Sequence, residues 1–296
     1  MNPSRRDYLL LAILGLCWGS NFLAIKIAVA EIPPATLTLG RLATAAALLL
    51  VVLKAKRIPW PTEPRVWAHL VAVGIIGNAL PYSLIAWSEV FVDSQLAAIL
   101  IAATPLLTIL LAHLTLADEK LTARRLGGVG LGFLGVVSLI GIDALKGLGA
   151  DVLAQLALLA AASSYAISGI VARRMPATPP NASALAVTGL SMIVLFPVAA
   201  AADGVMPAAP GWTALLAMLW LGAVSTALAM LTYFKLVASA GPTFVSLANY
   251  LVPLLALGLG GVLLGEEPSW NMLLALALIL AGVFLTGGRA RKADPS

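Results

Sequence analysis

The sequence predicts an all-α membrane protein of ten transmembrane helices, built as two five-helix repeats of inverted topology with both termini cytoplasmic. Three observations predict it: the scarcity of charge, the placement of the basic residues, and an internal repeat. Apolar residues make up 61% of the 296-residue chain and charged residues only 10%, against about 25% charged in a soluble domain. With a mean hydropathy of +1.01, so few charges cannot cover a water-facing surface, and hydrocarbon must be the solvent.

A span needs roughly 20 mostly apolar residues to cross about 30 Å of hydrocarbon. Ten stretches qualify: 8–30, 35–53, 66–87, 94–114, 124–142, 151–172, 181–201, 212–235, 244–264 and 270–287. The first resembles a signal peptide because Arg5 and Arg6 precede it. Its apolar run from Tyr8 to Ala30 exceeds the usual ~7–15 residues and shows no small-x-small cleavage site, so it reads as an uncleaved span. Short segments rich in Pro, Gly and charge divide the rest, such as Ile32-Pro33-Pro34 and Lys54 to Pro64. The apolar runs are continuous, which favours helices over barrel strands that alternate in polarity.

Lys and Arg are retained on the cytoplasmic side of a membrane protein. With the N-terminus inside, Arg5, Arg6, Lys54, Lys56, Arg57, Arg65, Lys120, Arg124, Arg125, Arg173, Arg174, Lys235, Arg289, Arg291 and Lys292 fall on that side. Lys146 falls opposite, and Lys26 and Arg41 lie within spans. One missed or invented span would destroy this asymmetry, so it checks the count. It also explains the net charge of +5 as membrane topology, and no nucleic-acid or nucleotide partner is expected.

The two halves repeat. Trp67 and Gly77 correspond to Trp212 and Gly222, Pro105 to Pro253, Glu119 to Glu267, and Gly135-Val136 to Gly282-Val283, at offsets of 145 to 148. Residues 1–145 and 146–296 therefore form two repeats of five spans. Five is odd, so the halves cross the membrane in opposite directions. Such repeats characterise secondary transporters, which hold substrate near the midplane between the halves.

Trp18-Gly19-Ser20-Asn21-Phe22, Lys26, Pro33-Pro34 and Arg41 resemble the opening of an EamA domain. The Pro-Leu-Leu blocks followed by Ala117-Asp118-Glu119 or Gly265-Glu266-Glu267 resemble its end. The resemblance implies the drug/metabolite transporter superfamily, with ten helices, a 5+5 inverted repeat and export of small metabolites across a bacterial inner membrane. Within it the chain looks most like the YddG-type amino-acid and metabolite exporters. The second half departs from the opening pattern, with Ala162-Ser163-Ser164-Tyr165 in place of a Trp-Gly motif.

Polar side chains inside spans face neighbours or a wet cavity rather than lipid. Trp18, Asn21, Asn78, Tyr82, Trp87, Ser163, Ser164, Tyr165, Ser225 and Tyr250 are the candidate cavity residues. Rings, amides and hydroxyls in an apolar setting suit a neutral or zwitterionic solute; the competing reading is helix–helix contact. Pro105 and Pro253 occupy matching places and are candidate hinges, each removing a ladder hydrogen bond. Lys26 and Arg41 either bind a substrate carboxylate or snorkel to the interface. Gly127, Gly128, Gly132, Gly135, Gly258, Gly261 and Gly265 have the spacing of close helix contacts.

No carboxylate lies at a midplane, and only Glu89 and Asp93 approach a span end, so transport uncoupled from protons is expected. Cys17 is the sole cysteine, and no nucleophile, metal or phosphate-loop pattern appears, so neither an enzyme nor a cofactor is expected. The reading is a secondary transporter that exports neutral or aromatic amino acids by alternating access, working as a monomer in a lipid bilayer. The alternatives are export of other metabolites or drugs, such as nucleobases or cationic compounds, and a solute channel.

Overall fold

The computed structural model describes residues 3–116, 121–144, 149–203 and 209–286. Asp118, Glu119, Lys120, Lys146, Arg289, Arg291 and Lys292 lie outside them. Among the described residues all regular structure is helical. Eight helices are long and apolar enough to cross a membrane. They are α1 (Arg5–Val29), α2 (Pro34–Ala55), α3 (Pro64–Ser88), α4 (Ser94–Thr115), α5 (Ala123–Ile140, continuing to Ala144), α6 (Ala150–Arg173), α7 (Pro180–Ala202) and α8 (Trp212–Ala240). Two shorter apolar helices follow, α9 (Ala248–Leu264) and α10 (Trp270–Thr286).

Local chemistry sets the helix ends. Ser4 and Asp7 form a capping box at the start of α1, each side chain bonded to the other's backbone N–H, which satisfies donors the helix itself cannot use. The pairs Pro33-Pro34 and Pro179-Pro180 start α2 and α7. Proline at the first helical position forfeits only an N–H that would have had no partner. Gly265 ends α9 at φ +69°, a left-handed conformation that glycine adopts without a Cβ penalty.

Several helices are irregular. Wider π-type turns occupy Ile75–Ala79 in α3, Ala223–Leu228 in α8 and Gly260–Leu264 in α9. The first two fall in matching spans of the two repeats. α4 breaks at Ala102–Ala103, before Thr104-Pro105. A separate helical turn, Pro242–Val245, precedes α9. The span expected over 244–264 is therefore a turn and a helix divided at Ser246–Leu247.

The helices pack reciprocally. α1 lies against α8 and α9, while α6 lies against α3 and α4; α2 pairs with α7 and α5 with α10. Exchanging the first five helices with the second five maps this set onto itself, as the internal repeat requires. The main core joins Phe22, Ile25, Ile99, Leu100, Leu158, Leu221 and Ile279 from both halves. Leu134, Phe196, Val262 and Phe284 are exposed on the outer faces of their helices, the arrangement expected of side chains facing hydrocarbon.

Glycine has a specific task at the α5–α10 contact. A Cβ on Gly128 would stand 2.7 Å from the Gly282 carbonyl oxygen, and one on Gly282 would collide with the Gly128 carbonyl. The two backbones touch there. A Cβ on Gly127 or Gly258 would meet nothing within 4 Å among the described residues, so the contact reading of the small-residue spacing is corrected at those two positions. Gly265 likewise serves its turn rather than a helix seam.

Candidate functional site

A cavity of about 280 Å³ lies between the halves. α1 contributes Trp18, Asn21 and Phe22; α2 contributes Arg41; α3 contributes Tyr82 and Ile85. The break in α4 supplies Ala98, Ile101, Ala102, Thr104 and Pro105. Tyr165 comes from α6, Ser225 from α8, and Asn249, Val252 and Pro253 from the start of α9.

Arg41 is the charge in this cavity. Its side chain is 5% exposed. Nε donates to Thr226 Oγ1 at 2.8 Å, and Cζ lies 3.8 Å from the centre of the Tyr82 ring. The wide turn of α8 makes this possible: Thr226 Oγ1 in turn donates to the Leu221 carbonyl, five residues back, at 2.8 Å. The hydroxyl is thereby aimed at Arg41 with its lone pair. Guanidinium over an aromatic face is a favourable cation–π arrangement, stronger when desolvated. Among the described residues the Nε bond is the only hydrogen bond Arg41 makes, which leaves its terminal nitrogens for another acceptor.

Two other polar groups share that condition. Asn21 Oδ1 and Ser225 Oγ are buried, line the cavity, and have no hydrogen-bond partner among the described residues. A buried group left without a partner costs about 1–3 kcal/mol. Cavity groups of this kind gain most when a polar ligand arrives. Tyr82 and Tyr165 rings stand 6.4 Å apart, edge to face, and Trp18 lies 6.0 Å from Tyr233 behind it. The site thus joins an aromatic wall to a cationic corner.

Trp18, Asn21, Tyr82, Tyr165, Ser225, Arg41, Pro105 and Pro253 come together here. Other sequence candidates do not line the cavity. Ser163 donates to the Leu159 carbonyl in its own helix, and Ser164 crosses to the Ile76 carbonyl in the wide turn of α3. Asn78 is buried within that turn. Trp87 is 38% exposed and packs on Phe91 at 5.1 Å, at the end of α3. Tyr250 packs beside the main core. Lys26 lies beyond the cavity, with Nζ on the carbonyl oxygens of Glu89 and Val92 at 2.9 and 2.8 Å.

The predictions of single residues missed Phe22 and Thr104. Thr104 and Val252 immediately precede Pro105 and Pro253, so adjacency to the paired prolines was the available signal.

Comparison with known proteins agrees with this architecture. The chain is 25% identical over 292 residues to Protein PagO of Salmonella typhimurium, covering 94% of this chain and 91% of that one. It is 26% identical to a probable amino-acid metabolite efflux pump of Escherichia coli K12, covering 98% of each. It is 27% identical to the uncharacterized inner membrane transporter YedA of the same strain, covering 92% of this chain and 87% of the relative. A solved crystal structure superposes with a TM-score of 0.62 over 96% of both chains at 23% identity, a likeness of fold. The EamA-like transporter family matches twice, over residues 6–141 and 152–288. A multi-pass helical membrane protein whose two halves both carry that match, with a cavity between them, is a transporter and not an enzyme: the chain belongs to the EamA-like transporter family.

Proposed function

We propose that the protein exports neutral amino acids with aromatic or apolar side chains across a bacterial inner membrane, by alternating access around the cavity between residues 1–145 and 146–296. The observation that carries this reading is the pairing of Arg41 with an aromatic wall. Arg41 and Ser225 receive the substrate carboxylate, Asn21 Oδ1 accepts from its ammonium, and Trp18, Phe22, Tyr82 and Tyr165 surround its side chain. At about 280 Å³ the cavity sits at the small end of ligand pockets, which run from about 300 Å³ upward, so one small metabolite fills it. A buried guanidinium also repels cationic compounds, which counts against that alternative.

Both termini face the cytoplasm in this reading, and the end of the bundle where α1 finishes faces outward. The basic residues support this orientation. The efflux-pump relative supports the substrate class.

The test is counterflow of radiolabelled Phe, Trp, Met, Leu and Thr in proteoliposomes, against a charged amino acid as control. Saturable counterflow of the neutral set is expected. Arg41→Ala should raise the apparent KM by about 10- to 100-fold, the loss of a charge-assisted hydrogen bond. Arg41→Lys should recover only part of it, because a point charge replaces a planar fork. Absence of counterflow for the whole neutral set would overturn the amino-acid assignment, and non-saturating flux would point to a channel.

A further inference from the structure

A layer of charge and hydrogen bonds lies one helical turn beyond the cavity. Lys26 follows Phe22 by four residues on α1, Glu89 follows Ile85 at the end of α3, Ser94 precedes Ala98 on α4, and Leu257 follows Pro253 on α9. Four residues of helix rise about 6 Å, so the layer covers the end of the cavity that faces outward in the reading above.

Two opposite charges grip the α3–α4 hairpin in this layer. Lys26 Nζ holds the carbonyls of Glu89 and Val92 at the end of α3. The Glu266 carboxylate, from the second half, accepts from Ser94 N at 2.9 Å, Ser94 Oγ at 2.8 Å and Gln95 N at 3.1 Å at the start of α4. A cation at a helix C-terminus and an anion at a helix N-terminus both match the helix dipole. Asp203 of the second half accepts from Thr36 N near the start of α2 in the same manner, at 2.6 Å.

Between these grips sits a buried carboxyl group. The Glu89 side chain is 0% exposed, and neither carboxylate oxygen accepts a well-formed hydrogen bond among the described residues, although the Lys26 backbone N–H lies close enough to favour the ionised form. The charges near it are Lys26 from α1, Arg41 from α2 and Glu266 beyond α9. α6 meets this end of α3 through the Ala154 carbonyl, which accepts from Ser88 Oγ at 3.0 Å. Lys26 and Arg41 attract an ionised Glu89, but Lys26 gives two of its three donors to backbone carbonyls and Glu266 repels it. A buried, unpaired carboxylate is costly to keep ionised, whereas the neutral acid fits an apolar site.

We propose that Glu89 is a proton-binding site that links the outer gate to pH: the closed layer holds Glu89 protonated, and opening it to the outer solution releases that proton. The balance is simple. On opening, water enters, the carboxyl ionises, the proton passes to the outer solution, and Lys26, freed from the two carbonyls, becomes the counter-ion. On closing, one proton returns from the same side. No proton crosses the membrane in this step, so the device regulates an uncoupled carrier rather than driving it.

The proposal rests on the carrier reading for the identity of the outer side, and its test uses no substrate. In a Cys17→Ala background, Val92→Cys reports the layer. Its labelling by a membrane-impermeant maleimide is measured in right-side-out vesicles. Each rate is divided by that of Phe91→Cys, an exposed neighbour, which removes the thiol's own pH dependence. The ratio should rise from about pH 5 to about pH 8, by at most about tenfold per pH unit, the limit for one linked proton. Glu89→Gln should give a low, flat ratio, while Glu89→Asp and Glu266→Gln should keep a slope. A flat ratio with Glu89 intact overturns the proposal, as does a slope that survives Glu89→Gln or vanishes only in Glu266→Gln. Should Glu89→Gln fail to fold, the intact protein and Glu266→Gln still decide it. A slope without amino-acid counterflow would leave the gate standing and sink only the substrate assignment.

Discussion

The α5–α10 seam and the α4/α9 pair are built from similar sequence and do opposite things. All four helices are rich in Leu, α9 shares the Val and Gly of the seam while α4 has neither, and both pairs join the two repeats. At the seam the helices run without a break, and the backbones meet at Gly128 and Gly282. α4 and α9 border the cavity, and each is interrupted: α4 at Ala102–Ala103, α9 before Ala248 and again in the wide turn Gly260–Leu264. Backbone groups freed by such interruptions are tolerated in a membrane only where protein or a cavity receives them. The seam therefore holds the halves together, and in the proposed transport cycle the broken helices would supply the surfaces that rearrange.

The largest effect that would sharpen this contrast comes from the seam. Gly282→Val places a branched side chain where the Gly128 carbonyl and the backbone of Gly132 already stand. Overpacking of this kind costs about 1–3 kcal/mol, and backbone on the opposite side leaves little room to relax. A marked fall in the thermal unfolding midpoint in detergent is expected, with transport per folded molecule close to normal. Normal stability would break the contrast by showing that the seam can yield. The neighbouring Gly127→Ala, whose Cβ would meet nothing within 4 Å among the described residues, should change stability little.

Much of this arrangement was legible in the sequence, and the failures have physical reasons. Span positions follow from hydropathy, since each helix must bury its own backbone polar groups. Trp18, Tyr82, Tyr165 and Arg41 were found because aromatic or charged groups inside apolar runs have few places to go. Ser163 misled because a serine can satisfy itself on the carbonyl four residues back, which hides whether it faces a cavity. Trp87 misled because tryptophan at a helix end is also an interfacial anchor. The grip of Glu266 on Ser94 spans 172 residues, and no local pattern announces it. Neither does the isolation of Glu89, which looked like an ordinary span-end acid until its surroundings were known.

Within the broken pair, the two prolines are not equivalent, and this gives a second, smaller effect. Pro253 lies inside α9, four residues past Asn249, where it removes a ladder hydrogen bond and weakens the helix beside the cavity. Pro253→Ala restores the bond and stiffens that helix. The transport rate should fall several-fold, roughly threefold to tenfold, as for other changes at hinge positions that gate turnover. Expression and thermal stability should hold or rise. A loss of stability equal to the loss of rate would make Pro253 a packing residue instead.

The smallest effect is expected at Pro105, for a reason the repeat alone conceals. Pro105 aligns with Pro253 in sequence, but it stands in the first turn of the helix that restarts after Ala102–Ala103. An N–H at that position has no partner within the helix, so the proline costs nothing there. The interruption is held by the chain around it: Thr104 Oγ1 donates to the Ile101 carbonyl at 2.7 Å, and Ala103 N donates to the Leu100 carbonyl at 3.1 Å. Pro105→Ala should therefore leave the break in place and lower transport by less than about twofold, while the freer unfolded chain lowers folding stability by only about 0.4–1 kcal/mol. The double variant should transport at the rate of Pro253→Ala alone. A multiplicative loss would show instead that both breaks bend in every cycle, and would make α4 and α9 equal partners in the rearrangement.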